Sequence, residues 1–249
     1  MESFLALVRP PGTSFPKAIS SHSQKNKINY GKALNQHNHY VDALKQMGGK
    51  ILSLPPEDSL PDSTFVEDAA FIYEDKAFLC SAKEESRRDE VESVSKVLQG
   101  HLEILQLEPY LDGGDILNTP KVIFAGLSNR TDAKAIQFLS EQISKKVVPI
   151  KIVKGLHLKS AVSYLGENVL LINPKRVDVG PFKSFKWVEV EEKDSYGANC
   201  LAMKNQVLIP KGYQKIREKI HQHGFETIEL EMSEFEKADG GITCLSLIF

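Results

Sequence analysis

The sequence has few cysteines, and they are not arranged as a redox or zinc motif. Three of its 249 residues are cysteine, namely Cys80, Cys200 and Cys244, and no two of them form a CxxC pair. An odd, sparse set of this kind excludes a disulfide framework and gives no zinc ligand pattern. It favours a reducing compartment, so we expect a cytoplasmic protein.

The sequence also has no excess charge of either sign and no long hydrophobic run. Lys and Arg number 31 against 33 Asp and Glu, a net charge of −2, which offers no basic field for nucleic acid or anionic lipid. The apolar runs are far shorter than the ~20 residues that span a bilayer. The N-terminal "MESFLALVRPPGTSF" lacks a basic region before its apolar run, so we expect no signal peptide. We therefore expect no nucleic-acid or membrane partner. The protein is expected to be a monomer or a homodimer.

Apolar alternation and turn residues predict four β-hairpins, each followed by one more strand. The turns are predicted at residues 74–75, 118–120, 166–168 and 204–205. Helices are predicted between hairpin and last strand at about 86–98, 131–145 and 213–223, with Thr131 as an N-cap. The third unit has "NPKRVDVGPFKSF" at this place, which contains too much Pro and Gly for a helix.

The remaining segments predict a fifth unit that combines the two ends of the chain. The N-terminal strand "SFLALVR", a helix over about 29–47 and the strand "KILSLP" lack one strand, which "ITCLSLIF" at the C-terminus can supply. Unit starts roughly 40 to 47 residues apart are typical of propellers and other repeat folds. The sequence thus predicts one α/β domain over 1–249, a five-bladed α/β propeller of ββαβ units with pseudo-five-fold symmetry. Pairing of the terminal strands would close it and fix Cys244 on its last strand.

Polar residues recur at the same place in each unit, just before the hairpin. Equivalent points of a cyclic repeat converge on its axis, so distant polar residues are expected to share one pocket. They are Asp62, Glu67, Asp68, Asp112, Asp115, His157, Asp239 and Cys244.

This set of side chains suits chemistry on a guanidinium group. A cysteine near a histidine can act as a nucleophile while the histidine moves protons. Carboxylates match a planar guanidinium in bidentate geometry and raise the pKa of a nearby histidine. Attack by sulfur, loss of an amine and addition of water would amount to guanidine hydrolysis.

Each of these residues also has a purely structural interpretation. Cysteine is among the most buried residue types, which fits Cys80 and Cys200 and is an open alternative for Cys244. His157 has the surroundings of a buried, hydrogen-bonded histidine as well as those of a catalytic one. The pairs His37 and His39, and His221 and His223, are two residues apart on predicted helices and are expected to be solvated.

Other motifs are similarly ambiguous. "DGG" occurs twice and is typical of a turn, "EESRRDE" is typical of a solvated helix start, and Arg130 is next to a predicted helix cap. One cysteine and one histidine are too few ligands to predict a metal site.

Seven motifs in order resemble the dimethylarginine dimethylaminohydrolases of the guanidine-modifying, or pentein, superfamily, bacterial members included. The resemblance runs from about Val8 to Phe249. The motifs are "SLPDSTFVED", "ESRR", "LDGGDIL", "GLSNRT", "GLHLKS", "YGANC" and "DGGITCLSL".

The resemblance implies a five-bladed propeller and a mechanism. Cys244 would attack the guanidinium carbon of asymmetric dimethylarginine or monomethylarginine. His157, oriented by Asp112, would protonate the leaving dimethylamine or methylamine and then activate water to release citrulline from a covalent thiouronium. This chemistry requires no cofactor and no metal.

The resemblance also implies how the substrate is held. Asp62, Glu67 and Asp68 would line the guanidinium pocket, and Arg87 and Arg130 would hold the α-carboxylate. Backbone carbonyls near Ile19 and Ala238 would receive the α-amino group, under a lid at about 14–29.

Two alternatives stay open on the sequence. Arginine deiminases, amidinotransferases and other guanidine hydrolases share the Cys–His–acid chemistry, although deiminases and amidinotransferases are usually longer chains. A non-catalytic binding protein is also conceivable, since a ribosome-associated initiation factor has this propeller fold. Such a role does not need Cys244, His157 and Asp112 together.

Overall fold

The strands within residues 3–249 form five three-stranded sheets of one repeated design. The structure is a computed structural model and describes residues 3–249. In every sheet the middle strand pairs antiparallel with one neighbour and parallel with the other. The sheets are β15-β1-β2, β3-β4-β5, β6-β7-β8, β9-β10-β11 and β12-β13-β14, with strands β1 (Phe4–Val8), β2 (Gly49–Ser53), β3 (Ala70–Tyr73), β4 (Lys76–Ser81), β5 (Glu103–Tyr110), β6 (Ile116–Asn118), β7 (Val122–Leu127), β8 (Lys146–Lys151), β9 (Val162–Gly166), β10 (Val169–Ile172), β11 (Lys186–Glu189), β12 (Leu201–Met203), β13 (Gln206–Pro210), β14 (Glu226–Leu230) and β15 (Ser246–Ile248).

Helices connect the parallel strands in four of the five sheets, as the repeat predicts. The helices are α1 (Tyr30–Gln46), α2 (Glu90–Leu98), α3 (Ala133–Gln142), α4 (Gln214–Gln222) and the short α5 (Ser233–Glu236). Between β10 and β11 the connection contains a 3-10 turn, Gly180–Phe182, and no α-helix. This agrees with the prediction that its Pro and Gly residues prevent a helix here. None of the helices within residues 3–249 combines the length and the apolar composition that crossing a membrane requires.

The chain divides into two compact units. The first runs to Gly113 and resumes over Glu231–Phe249, and the second is Gly114–Leu230. The first has a core in which Leu7 and Leu247 of one sheet pack with Leu79 and the helix residues Val94 and Leu98. The second contains two buried apolar clusters, one around α4 and one around Phe124 and Phe182.

The predicted pairing of the two ends of the chain is present. Strands β1 and β15 are antiparallel, with Ala6 opposite Ile248 and Val8 opposite Ser246. The pairing extends to Leu5 and Phe249, whose backbone groups exchange hydrogen bonds of 2.6 and 3.0 Å. The residues that follow Cys244 are therefore held in a sheet.

The four predicted hairpin turns are confirmed. Three of them are two-residue turns with positive φ at Glu74, at Glu167 and Asn168, and at Lys204. Positive φ at such positions matches the twist of the flanking strands.

Three local predictions are wrong. Strand β15 begins only at Ser246, and Cys244 lies before it in a 3-10 turn, Thr243–Leu245. The N-cap of α3 is Asp132, not Thr131, and the Thr131 hydroxyl donates to Asp115. His37 is not solvated but 2% exposed, since it shares the buried face of α1 with Tyr40.

Candidate active site

Cys244 is the accessible member of an otherwise buried segment. Its neighbours Thr243 and Leu245 are buried, whereas Cys244 is half-buried. The backbone N–H of Gly241 donates to its Sγ at 3.3 Å. A donor aimed at sulfur favours the thiolate, which is the nucleophilic form of cysteine.

The other two cysteines are buried, as predicted. Cys80 and Cys200 are each 3% exposed. Burial raises the pKa of Cys200 well above its ordinary value. Among the three thiols, Cys244 is thus the one placed for reaction with a solute.

Buried polar groups of the first unit surround the segment of Cys244. The Thr243 hydroxyl donates to Oε2 of Glu67 at 2.7 Å, and the hydroxyls of Tyr40 and Ser246 are 2.7 Å apart. Burial raises the pKa of Tyr40, and the charges of Glu67 and Cys244 add to that rise. Glu67 and Cys244 therefore lie within electrostatic reach of one phenol.

The first glycine of each "DGG" motif, Gly113 and Gly240, is required for close packing rather than for a turn. A Cβ on Gly113 would lie 2.0 Å from the carbonyl oxygen of Glu67, and one on Gly240 would lie 2.2 Å from the ring of Phe65. Neither glycine has positive φ. The first contact fixes the loop of Asp112 against the acidic turn Val66–Ala69.

Two of the predicted acids of the first unit, Asp68 and Asp112, are buried close to Arg87 together with Glu90. Nη1 of Arg87 is 3.0 Å from Oδ2 of Asp68, and its Nη2 is 2.9 Å from Oε2 of Glu90. One carboxylate oxygen of Asp68 and one of Asp112 lie within 4.8 Å of each other. Burial alone would lower the pKa of Arg87, but the carboxylates of Glu90, Asp68 and Asp112 hold it well above its ordinary value. Arg87 is therefore a permanent buried cation. Within "EESRRDE" only Arg87 and Glu90 are buried, and Glu85, Ser86, Arg88 and Asp89 are exposed as expected.

Asp62 contacts the segment predicted to be a lid. Both of its carboxylate oxygens accept the backbone N–H of Ile19, at 3.1 and 3.2 Å. The same segment reaches the residues before Cys244, because the backbone N–H and the hydroxyl of Ser21 both donate to Oδ2 of Asp239, at 2.6 and 2.9 Å. The Ser20 hydroxyl donates to the carbonyl oxygen of Lys237, the residue before the buried Ala238. The two predicted α-amino sites, at Ile19 and Ala238, thus belong to segments that contact each other.

His157 and Arg130 lie in the second unit, where one aspartate connects their loops. His157 is 5% exposed and Arg130 is 8% exposed. Asp115 accepts the backbone N–H of Leu158, the residue after His157, and the hydroxyls of Ser128 and Thr131 on either side of Arg130. The predicted approach of His157 to Cys244 and to Asp112 stays a prediction.

The sequence interpretation missed several polar residues of these surroundings. They are Tyr40, Glu90, Thr243 and Ser246, together with His37, which was expected to be exposed. The helical spacing of Ala33, Gln36, His37, Tyr40 and Leu44 marks one face of α1 and is a signal for the burial of His37. The partners of Thr243 and Glu90 have no such signal in the sequence.

Comparison with known proteins gives one consistent result. Residues 11–247 match the family described as "N,N dimethylarginine dimethylhydrolase, eukaryotic". An N(G),N(G)-dimethylarginine dimethylaminohydrolase of Pseudomonas aeruginosa is 35% identical over 98% of this chain and 98% of its own length.

Solved structures of such proteins are similar over the whole chain. A cysteine-to-serine variant from Pseudomonas aeruginosa, in complex with citrulline, has a TM-score of 0.93 at 34% identity, covering 100% of both chains. A histidine-to-glycine variant of a dimethylarginine dimethylaminohydrolase, in an adduct with S-methyl-L-thiocitrulline, also has a TM-score of 0.93. It is 34% identical and covers 98% of this chain and 99% of its own.

Proposed function

The chain belongs to the dimethylarginine dimethylaminohydrolase family, and from this membership we propose that it hydrolyses asymmetric dimethylarginine and monomethylarginine to citrulline and an alkylamine. The observation that carries the proposal is the setting of Cys244. A half-buried thiol accepts a backbone N–H from Gly241, among buried carboxylates that suit a cationic substrate.

In the proposed reaction, the thiolate of Cys244 forms a bond to the guanidinium carbon. The tetrahedral adduct then loses dimethylamine or methylamine as its C–N bond breaks, and His157 supplies the proton that the leaving nitrogen takes up. This leaves a covalent thiouronium. Water, deprotonated by His157, adds to the same carbon; the C–S bond breaks, and citrulline and the thiolate are released.

We propose that the acids hold the guanidinium in place. Asp62, Glu67 and Asp68 are buried and already oriented, by Ile19, Thr243 and Arg87 respectively. Fixed carboxylates of this kind bind a planar cation without losing much side-chain freedom on binding. Asp112, buried beside Asp68, would orient His157.

The amino-acid end of the substrate would be held by Arg87 and Arg130 through its α-carboxylate, and by backbone carbonyls near Ile19 and Ala238 through its α-amino group. The contacts of Ser21 with Asp239 support a lid that covers the bound substrate and excludes water.

We further propose that residues 1–249 form a single domain in which the five sheets close into a propeller with pseudo-five-fold symmetry. Two observations support this: all five sheets share one design, and β1 and β15 join the ends of the chain. The expected cytoplasmic location and the expected monomer or homodimer stay predictions.

Product analysis tests the proposed function. Purified protein is incubated in parallel with asymmetric dimethylarginine, monomethylarginine and arginine, and the products are identified by liquid chromatography and mass spectrometry. We expect citrulline with equal amounts of dimethylamine or methylamine. Turnover of arginine to ammonia with no alkylamine from either methylated substrate would instead support a deiminase.

Intact-protein mass spectrometry tests the covalent step. During turnover we expect a protein species heavier by the mass of the substrate minus that of the amine. It should be absent in Cys244→Ser and present in the matched control Cys80→Ala.

A further inference from the structure

Asp115 is a buried carboxylate that connects two separate loops of the second unit. It is 0% exposed, and its two oxygens accept three hydrogen bonds. Oδ1 accepts the backbone N–H of Leu158 at 2.9 Å. Oδ2 accepts the hydroxyls of Ser128 at 2.6 Å and of Thr131 at 2.7 Å.

Each of these donors lies within two positions of a residue of the proposed site. Leu158 follows His157, whose backbone begins the 3-10 turn Leu158–Ser160. Ser128 and Thr131 flank Arg130, and the Ser128 hydroxyl also accepts the backbone N–H of Arg130 at 3.0 Å. One carboxylate therefore sets the backbone of both loops.

The glycine at 126 makes this arrangement sterically possible. A Cβ at Gly126 would lie 2.5 Å from Oδ1 of Asp115 and 3.0 Å from the Cβ of Leu158. Any side chain on β7 at this point would displace the carboxylate from the Leu158 amide.

Ordinary chain packing does not need a carboxylate here. Burial raises the pKa of Asp115, while the nearby His157 and the hydrogen bonds from Ser128, Thr131 and Leu158 oppose that rise. A buried carboxylate costs free energy unless several donors satisfy it, and an apolar residue would avoid that cost. Three donors from two loops give a defined relative position in return.

We propose that Asp115 is a positioning residue that holds the proton-transferring His157 and the substrate-anchoring Arg130 in a fixed relative position. It touches neither substrate nor reacting atoms. It links the loop that serves the reacting end of the substrate to the loop that serves its carboxylate end. This inference rests on the proposed function of the same site.

The test separates the two loops. Thr131→Val removes one donor on the Arg130 side, and Asp115→Asn removes the charge that both loops share. We expect Thr131→Val to raise KM for asymmetric dimethylarginine about tenfold with little change in kcat, because the anchor is loosened. In the same variant, KM for the decarboxylated analogue of asymmetric dimethylarginine should not change, because this substrate lacks the α-carboxylate that Arg130 is proposed to hold. Asp115→Asn should also lower kcat by about tenfold or more.

Two further variants provide controls. Thr119→Val removes a hydroxyl of the same burial, 3% exposed, that bonds only within the β6–β7 turn, and it should leave both constants within about twofold. Thr131→Ser keeps the hydroxyl and should restore the wild-type KM. The proposal would be overturned if Thr131→Val and Thr119→Val raised KM equally. It would also be overturned if Thr131→Val raised KM equally for asymmetric dimethylarginine and for its decarboxylated analogue.

Hydrogen exchange provides a measurement that does not depend on activity. Asp115→Asn should accelerate exchange of the Leu158 and Arg130 amides while leaving that of Ala125, within β7, unchanged. An unchanged rate at Leu158 would overturn the positioning role. A wild-type protein inactive on every methylated arginine would overturn the proposed function instead.

Discussion

The backbone N–H of Gly241 points at Sγ of Cys244 from three residues earlier in the chain, 3.3 Å away. This contact exists because Cys244 lies in a 3-10 turn rather than in the strand that follows it. In a strand, successive side chains point to opposite faces of the sheet, and a side chain is directed away from the backbone of its own strand. The turn instead brings the sulfur of Cys244 back toward the amide of Gly241.

Cys244 should be the first thiol to react with an alkylating reagent. Cys80 and Cys200 are buried, and burial raises the pKa of Cys200, so both should be modified only as the protein unfolds. Iodoacetamide at neutral pH followed by peptide mass spectrometry measures the order. Modification of Cys200 at a rate equal to that of Cys244 would contradict the structure.

The hydroxyl of Thr243 should matter for turnover through Glu67. Thr243→Val removes the 2.7 Å hydrogen bond to a buried carboxylate, and bonds to charged groups contribute ~1.5–3 kcal/mol. We expect kcat/KM for asymmetric dimethylarginine to fall by about 10-fold to 100-fold. Thr243→Ser retains the donor and should stay near wild type; a Ser variant as impaired as the Val variant would show that the methyl group, not the bond, is what counts.

Asp239 should control how well the segment 14–29 is held closed. Its carboxylate accepts both donors of Ser21, and its φ of +57° is one that Asn also adopts readily. Asp239→Asn should therefore keep the backbone but weaken the contact, so trypsin should cleave faster at the exposed Lys25 and Lys27. Asp178→Asn, which alters an exposed carboxylate bonded to the N–H of Gly180, serves as the control and should not change cleavage at these sites.

His37 should make the protein less stable in mild acid. Burial lowers the pKa of His37 to about 4, with a hydrogen bond to the backbone of Arg9 opposing it, against an ordinary value of 6.5. In the unfolded chain His37 is protonated below about pH 6.5, whereas in the folded chain it is protonated only below about pH 4. The contribution of neutral His37 to the free energy of unfolding is therefore complete above pH 6.5. About 3 kcal/mol of this contribution is lost as the pH falls from 6.5 to 4.

Urea unfolding at several pH values measures this contribution. The difference in stability between wild type and His37→Gln should shrink from pH 7 to pH 4. His39→Gln alters an exposed histidine on the same helix and should show a constant difference. A pH-independent difference for both variants would mean that His37 titrates normally.

Gly113→Ala should destabilise the protein strongly. A Cβ would lie 2.0 Å from the Glu67 carbonyl oxygen, so the acidic turn has to move, and overpacking of this kind costs ~1–3 kcal/mol or more. Gly100→Ala meets nothing closer than 3.5 Å and should be neutral or slightly stabilising. Chemical unfolding of the two variants, monitored by circular dichroism, gives the comparison; equal stabilities would contradict the tight contact at Gly113.

Local patterns in the sequence were sufficient to predict most of the secondary structure. The hairpin at Glu74 and Asp75 follows from apolar alternation on both sides of a polar pair, and α4 follows from helical spacing. The same patterns predicted that β1 pairs with β15, because a five-fold repeat lacks one strand unless its ends combine. All these features depend on neighbours within a few residues, or on a count of repeats, so they are visible in one dimension.

Predictions that depended on competition between partners could not be settled this way. Thr131 is a good N-cap by type, but in the folded chain its hydroxyl reaches Asp115, 16 positions earlier, and Asp132 takes the N-cap position. Arg87 looked like part of a solvated run, yet it is buried between Asp68 and Glu90.

By itself, then, the sequence determined the repeat, the turns, the family and the types of residue that gather before each hairpin. Only the tertiary structure decided which donor each buried carboxylate accepts: Thr243 for Glu67, Ile19 for Asp62 and Leu158 for Asp115. The physical reason is that a buried carboxylate must accept hydrogen bonds from donors within about 3 Å. In the folded chain these donors belong to residues that are tens of positions or more away in the sequence. Residue type and spacing specify what a side chain is able to do, and packing selects its partner.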